Sequence, residues 1–313
     1  MRINDTQIDD TFAEAFPMKA TRLIITAHTR TWARHAANSL TGFATSVIDC
    51  GCEAGVERDL TRDETPDGRP GVSVLIFAVS SKELAKQIAR RVGQCVLTCP
   101  TTAVYNGIDP RATHAPLSDN APLGAGLRFF GDGWQVSKVL DGIRYWRVPV
   151  MDGEFVCEES VATVKAVGGG NLLFLARDLD SALKAAEAAV AAIHTLPNVI
   201  TPFPGGVVRS GSKIGSKYAG AAASTNDAFC PTLIGLSKKS ELTRDVGCVL
   251  EIVIDGLTDA DVGAAMTAGI RAATSIDQAG GVLRISAGNY GGKLGPYHFR
   301  LHELAARIDG RRA

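Results

Sequence analysis

Between Gly247 and Gly256 the chain reads Gly-Cys-Val-Leu-Glu-Ile-Val-Ile-Asp-Gly, an apolar run with one carboxyl group set into its middle. In a strand, Val249, Glu251 and Val253 share one face and Leu250, Ile252 and Ile254 the other. Both faces are then largely apolar, the pattern of a strand covered on both sides. A carboxyl group in such a place is either paired or protonated, because burial penalises the charged form. Glu251 is therefore a candidate acid, neutral near pH 7 and able to donate a hydrogen bond or shuttle a proton. The competing reading is a Glu at a wetted strand edge, paired with Arg or Lys.

The surrounding chain repeats one plan. Residues 22–27 read as a strand, 29–40 as a helix with Trp32, Ala33, Ala36, Ala37 and Leu40 at helical spacing, and 44–48 as a second strand. The polar stretch 51–71 reads as a long loop, and such loops in compact enzymes are often functional. Residues 72–79 form an apolar strand, Ser80 and Glu83 are spaced as a capping box, Leu84, Ile88 and Val92 give the helix its core face, and 95–98 reads as the next strand. Residues 128–150 alternate between turns as a β meander. The second half follows suit. Strands are expected at 162–167 and 171–176, a helix at 178–193 capped by Asp178, and a helix opened by Thr258-Asp-Ala-Asp261 before a strand at 282–286. The fold class is thus α+β, two pseudo-equivalent ferredoxin-like (split βαβ) lobes with an inserted meander and loops. They divide into residues 1–150 and 151–313, with a cleft between lobes as the default binding site.

Composition narrows the function. With 33 basic and 33 acidic residues the chain lacks the basic face that nucleic acid or an anionic membrane would require. Its 45% hydrophobic and 21% charged residues are those of a globular protein. The N-terminus carries no apolar segment of signal-peptide length and runs such as 172–176 are too short to span a bilayer, so a cytoplasmic protein is expected. Seven scattered cysteines do not form a disulfide framework. Gly288-Asn-Tyr-Gly-Gly-Lys-Leu-Gly295 fails as a nucleotide loop, its glycine spacing one residue short and Leu294 standing where a Mg²⁺-binding Ser or Thr belongs. Gly168-Gly-Gly170 precedes a strand rather than a helix, which argues against a dinucleotide site. Cys50-Gly-Cys52 and Cys95/Cys99 miss the usual CxxC spacing, and His298 and His302, at i and i+4, lack an obvious third ligand, so no metal is expected. No nucleophile elbow occurs. What remains are Gly-, Ser- and Lys-rich loops, 205–217 and 286–295, whose amides with Lys213, Lys217 and Lys293 could hold carboxylates or phosphates; the alternative is flexible surface turns.

The segments 10–17, 41–47, 64–71, 93–104, 200–206 and 285–295 carry a specific likeness: Asp-Thr-Phe-Ala-Glu-Ala-Phe-Pro, Thr-Gly-Phe-Ala-Thr-Ser-Val, Glu-Thr-Pro-Asp-Gly-Arg-Pro-Gly, Gly-Gln-Cys-Val-Leu-Thr-Cys-Pro-Thr-Thr-Ala-Val, Ile-Thr-Pro-Phe-Pro-Gly-Gly and Ile-Ser-Ala-Gly-Asn-Tyr-Gly-Gly-Lys-Leu-Gly. The chain resembles formylmethanofuran:tetrahydromethanopterin formyltransferases from about residue 3 to about residue 304. The resemblance implies transfer of a formyl group between the methanofuran amine and N5 of tetrahydromethanopterin. Both carriers act as substrates, with no permanently bound cofactor and no acyl-enzyme. It also implies two related lobes in a homotetramer, and it places the family's catalytic carboxyl on Glu251. By loop position and motif match it assigns Thr101, Tyr105, Lys213, Asn289, Tyr290, Gly291 and Gly292 to substrate binding. Archaeal members from salt-rich cytoplasms are strongly acidic; the balanced charge here suits a bacterial, methylotroph-type member in formaldehyde oxidation. There the family member resembles one subunit of a formyltransferase/hydrolase complex. The rival expectations are a non-catalytic assembly subunit and an enzyme using tetrahydrofolate.

Overall fold

The computed structural model describes residues 1–45, 50–209, 212–276 and 280–308. Short strands β1 (Arg2–Ile3) and β2 (Thr6–Ile8) lead into the long β3 (Phe12–Thr26), helix α1 (Arg30–Thr41), β4 (Glu53–Leu60), β5 (Gly71–Ala78), α2 (Ser81–Arg91), β6 (Ala103–Asn106), β7 (Leu117–Pro122) and a one-turn α3 (Gly124–Leu127). There follow β8 (Val136–Leu140), β9 (Ile143–Val150), β10 (Gly153–Glu158), β11 (Ser160–Ala176), α4 (Leu179–Ile193), β12 (Val199–Ile200), β13 (Ser212–Ile214), β14 (Ala223–Thr225), β15 (Cys248–Gly256), α5 (Asp259–Ile276), β16 (Val282–Ser286), β17 (Tyr297–Arg300) and α6 (Leu301–Ala306). The fold is α+β with both parallel and antiparallel strand pairs.

Compactness divides the chain into Met18–Ala166 and a second unit that joins Met1–Pro17 to Val167–Ala313. The first seventeen residues thus fold with the C-terminal half, because β2 pairs in parallel with β16 and β17 pairs with the start of β3.

In the Met18–Ala166 unit, strands run β4–β5–β3–β6, with β10, β9 and β8 continuing beyond β6. Ala33, Ala36, Ala37 and Leu40 of α1 and Leu84 and Ile88 of α2 pack with Leu23, Ile25, Val72, Val74 and Ile76. Trp32 lies outside this face, 41% exposed. Thr29 and Ser80 cap the two helices by accepting from Trp32 and Glu83 amides. The Glu83 side chain turns to Gln87 and Lys86 instead of closing a capping box.

Three sequence expectations are corrected here. Most of the strand expected at 44–48 lies outside the described residues; the second strand of the unit is β4, inside what the sequence presents as a loop. Its charges mislead because Glu57, Asp59 and Arg58 find ion partners: Arg22–Glu57 at 2.7 Å, Arg34–Asp59 at 2.6 Å and Arg58–Glu64 at 2.7 Å. Residues 95–98 belong not to a strand but to a π-helical turn, Val92–Val96, and its continuation; Val92, Val96 and Leu97 are buried from helical positions. The meander begins only at Val136, after a helical stretch; its β8–β9 turn at Asp141 and Gly142 has φ of 49° and 81°, the left-handed pair of a tight hairpin.

The second unit repeats the β-α-β-β-α-β order: strands run β12–β15–β11–β16–β2–β1, with α4 and α5 packed on one face. Asp178 and Thr258 cap those helices by accepting from the Ser181 and Asp261 amides. Strands expected at 162–167 and 171–176 are one strand, β11, interrupted by a bulge between Val167 and Gly170. At the bulge Gly169 has φ 91°, and a Cβ there would lie 2.8 Å from the Phe16 ring. Leu250, Ile252 and Ile254 of β15 face the helices; the opposite face carries Leu173 and Leu175 against Leu242, Val246, Phe229 and Val249. No helix among the described residues is long and apolar enough to cross a membrane.

Candidate active site

Glu251 lies in the middle of β15 and is paired on both sides, with Leu173 of β11 on one and Val208 on the other. Glu251 N–H donates to the Val208 carbonyl at 2.9 Å and the Val208 N–H donates back at 2.8 Å. It is therefore no edge residue. Its side chain lines a cavity of about 210 Å³ whose near wall includes Leu173, Val249 and Leu250, and whose far wall runs from Thr225 to Thr232, with Arg209 also lining it. By surface area the residue is half-buried, yet protein atoms enclose its carboxyl, and that burial pushes its pKa up to about 7. Among the described residues no hydrogen bond or neighbouring charge offsets the burial. A carboxyl of this kind is half protonated near neutrality and can donate to, or accept from, a reacting group in the cavity.

The other sequence-predicted residues fall in different places. In the Met18–Ala166 unit, Thr101 has φ 65° and is held by three bonds: its N–H donates to Asp152 at 2.5 Å, its hydroxyl accepts from the His28 amide at 3.1 Å, and its carbonyl accepts from Arg69 at 2.6 Å. Tyr105 is buried and donates to Asp67 Oδ2 at 3.1 Å; burial first and the Asp67 charge second push its phenol well above the ordinary range. Asp67 also accepts from Thr26 at 2.7 Å and from Arg69 at 2.8 Å, so the polar stretch around residue 67 organises both candidates.

In the second unit, Lys213 forms an ion pair with Asp227, a residue of the Thr225–Thr232 segment that does not itself line the Glu251 cavity. Asn289 donates to the Thr11 hydroxyl at 3.1 Å and the Phe12 carbonyl at 3.2 Å, while the Gly291 amide caps Asn289 Oδ1 at 3.1 Å. Tyr290, 41% exposed, has its amide on Glu14 Oε2 at 2.6 Å. The amides of Gly292 and Gly295 also donate to Glu14, each at 3.0 Å, as does that of Leu294. The expectation that these loop amides wait for a ligand's carboxylate or phosphate is thus corrected: the anion they hold is the chain's own. Glu14 is only 2% exposed, and although desolvation opposes it, the four amides together lower its pKa. Sequence reading passed over Glu14, although the signal that singled out Glu251, one acid inside an apolar run, is also present in Phe12-Ala-Glu-Ala-Phe16.

Among the described residues no group of three or more His, Cys, Asp or Glu is placed to hold a metal ion, and all seven cysteines are free thiols. His298 packs against Phe12 with ring centroids 4.7 Å apart and planes tilted by 42°, and His302 bonds the Ile8 carbonyl at 2.9 Å, both structural uses.

Residues 1–150 match the family model described as formylmethanofuran-tetrahydromethanopterin formyltransferase, and residues 153–304 match the one described as FTR, proximal lobe. The chain is 62% identical over 306 residues to the formylmethanofuran–tetrahydromethanopterin formyltransferase of Methylobacillus flagellatus, covering 98% of this chain and 100% of the relative. It is 51% identical to a subunit of the formyltransferase/hydrolase complex of Methylorubrum extorquens, covering 96% of each. Among solved structures, a chain of the formyltransferase/hydrolase complex from Methylorubrum extorquens, in complex with methylofuran, superposes with a TM-score of 0.92 at 51% identity, over 97% of this chain and 98% of that one. The Methanosarcina barkeri formyltransferase superposes with a TM-score of 0.88 at 48% identity, over 97% and 100%.

Proposed function

Because this chain belongs to the formylmethanofuran–tetrahydromethanopterin formyltransferase family and is a formyl-transferring enzyme, we propose that Glu251 is the acid on which the transfer turns. The single observation that carries this reading is a carboxyl group enclosed beside a cavity, with its pKa raised to about 7 by burial alone. The acceptor amine attacks the formyl carbon, and the carbonyl oxygen takes up negative charge. Protonated Glu251 donates a hydrogen bond to that oxygen. As the tetrahedral intermediate collapses, the C–N bond to the donor breaks, the acceptor nitrogen gives up its proton and the donor nitrogen receives one, with Glu251 relaying it. Both carriers are bound together, methanofuran (or its bacterial analogue) and tetrahydromethanopterin, so no acyl-enzyme forms. Much of the acceleration comes from holding amine and formyl carbon in line.

The relatives in methylotrophs support flow of the formyl group from the pterin to the furan carrier during formaldehyde oxidation in the cytoplasm. The β-α-β-β-α-β order in each unit, with strand order 2-3-1-4 among the four core strands, supports reading the pair as pseudo-equivalent ferredoxin-like lobes. A homotetramer, and association with other subunits of a formyltransferase/hydrolase complex, are parts of the same proposal. In it, Thr101, held by Arg69, gives one carrier a rigid surface that the buried Tyr105 supports through Asp67, while Asn289, Tyr290, Gly291 and Gly292 shape a second surface through the exposed Tyr290 ring.

The test is a spectrophotometric assay of the purified chain with each carrier. Glu251→Gln is expected to lower kcat by about 10²- to 10⁴-fold, the usual range for a general acid–base, with a smaller change in KM. An unchanged kcat removes Glu251 from the mechanism. A wild-type chain inactive by itself favours the assembly-subunit alternative, and equal use of tetrahydrofolate favours a folate-type enzyme.

A further inference from the structure

The far wall of the Glu251 cavity has little intrinsic stiffness. It leaves β14 at Thr225 and continues as two single turns of 3₁₀-helix, Asp227–Phe229 and Pro231–Leu233, elements too short to hold their own geometry. Phe229 is its apolar anchor, packed with Leu173, Leu175, Leu242 and Val246. Its carboxylate is Asp227, whose Oδ1 takes the Lys213 ammonium of β13 while Oδ2 accepts from the Ser237 hydroxyl at 2.9 Å. One side chain therefore ties together the β13–β14 hairpin, the wall and the turn beyond it. A further backbone bond, Glu241 N–H to the Ala228 carbonyl at 3.0 Å, closes the far end.

We infer that Asp227 is a positioning residue for formyl transfer: by gripping Lys213 and Ser237 it holds the Thr225–Thr232 wall against Glu251 and limits the access of bulk water to its carboxyl. This rests on the reading of Glu251 given above. The ionisable groups around Glu251 leave the wall as the element that sets its environment. From β11 only Leu173 lines the cavity; from the segment after Val208 it is Arg209; from the wall it is Cys230, whose thiol is bonded to the Asn226 carbonyl at 3.2 Å. On β15 itself, Asp255 is fully buried and accepts from the Gly169 amide at 3.1 Å. Lys213 and Asp227 pair with each other, cancelling their charges, and neither lines the cavity. Asp227 thus acts on Glu251 by excluding solvent, not by its charge.

The experiment titrates the Glu251 carboxyl by ¹³C NMR in the full-length protein, its resonance identified by loss in Glu251→Gln, alongside the pH dependence of kcat. In Asp227→Ala that titration is expected to move down by about one unit or more toward the ordinary carboxylate value, with kcat at pH 7 falling at least about tenfold. Asp227→Asn, which keeps the Ser237 bond, falls between. Ser237→Ala, which loosens the grip while leaving the ion pair and its cancelled charge in place, produces part of the shift, and the double variant Lys213→Met/Asp227→Ala, which removes both charges together, shows the shift of Asp227→Ala. A folded Asp227→Ala protein whose Glu251 titrates as in the wild type overturns the inference. If that variant does not fold, unchanged titration in Ser237→Ala overturns it instead. Full turnover by Glu251→Gln would sink the catalytic reading, and the NMR titration would still judge the grip of Asp227.

Discussion

Two carboxyl groups in the same unit are treated in opposite ways, and the difference lies in what surrounds each. Glu14 is sealed from water but receives four backbone amides, which stabilise its charge more than burial opposes it. Among the described residues Glu251 receives none and is left with burial alone, so its pKa rises to about 7. The consequences for stability have opposite signs. A raised folded pKa means that the native state binds more protons between the ordinary value of 4.5 and about 7, so stability falls as pH rises through that window and is level above it. Glu251→Gln removes that loss. Urea melts are expected to show the variant equal to wild type near pH 4 and more stable at pH 8, by on the order of 3 kcal/mol at most. The active-site acid thus costs stability in exchange for chemistry. Glu14 behaves in reverse: its contribution is present above the ordinary carboxylate value and is lost as pH falls through its depressed folded value. Glu14→Gln, which sets a neutral amide against four N–H donors, is expected to destabilise by about 2–4 kcal/mol at pH 7 and to flatten the acid limb of the stability curve, read from thermal melts. Faster hydrogen exchange of the 290–295 amides would accompany it.

At the scale of elements, β11 shows how a local irregularity serves a long-range requirement. The strand runs from Ser160 to Ala176 and must shift register between Val167 and Gly170, which it does with Gly169 at φ 91°. A side chain there meets both an unfavourable backbone and the Phe16 ring at 2.8 Å. Gly169→Ala is expected to cost about 1–3 kcal/mol, measured by chemical denaturation, because strain at a left-handed position adds to the clash. The same strand offers Leu173 to Glu251 four residues later, so a loosened bulge should also raise KM or lower kcat modestly. The π-helical turn Val92–Val96 is a second such device: it extends α2 far enough to bury Val92 and Val96 before the chain reaches Thr101.

At the scale of the whole molecule, the purified chain is expected to catalyse formyl transfer without added subunits and to sediment as a tetramer, checked by assay and analytical ultracentrifugation. A monomer with full activity would detach catalysis from assembly. The α+β class, the helices with their Ser80, Asp178 and Thr258 caps, and the strand bearing Glu251 were legible in the sequence, because periodicity and capping are encoded within a few residues of where they act. β4 was not, since its charges look like loop until the ion partners Arg22 and Arg34, far away in sequence, are in place. Nor were the cage around Glu14, the grip of Asp227 on Lys213, or the membership of residues 1–17 in the C-terminal unit. The order of residues determined that an acid would stand in an apolar strand. Only tertiary packing decided that this acid would have no hydrogen-bond partner among the described residues and Glu14 would have four, because a carboxyl group's charge depends on the donors and solvent that distant segments bring to it or keep from it.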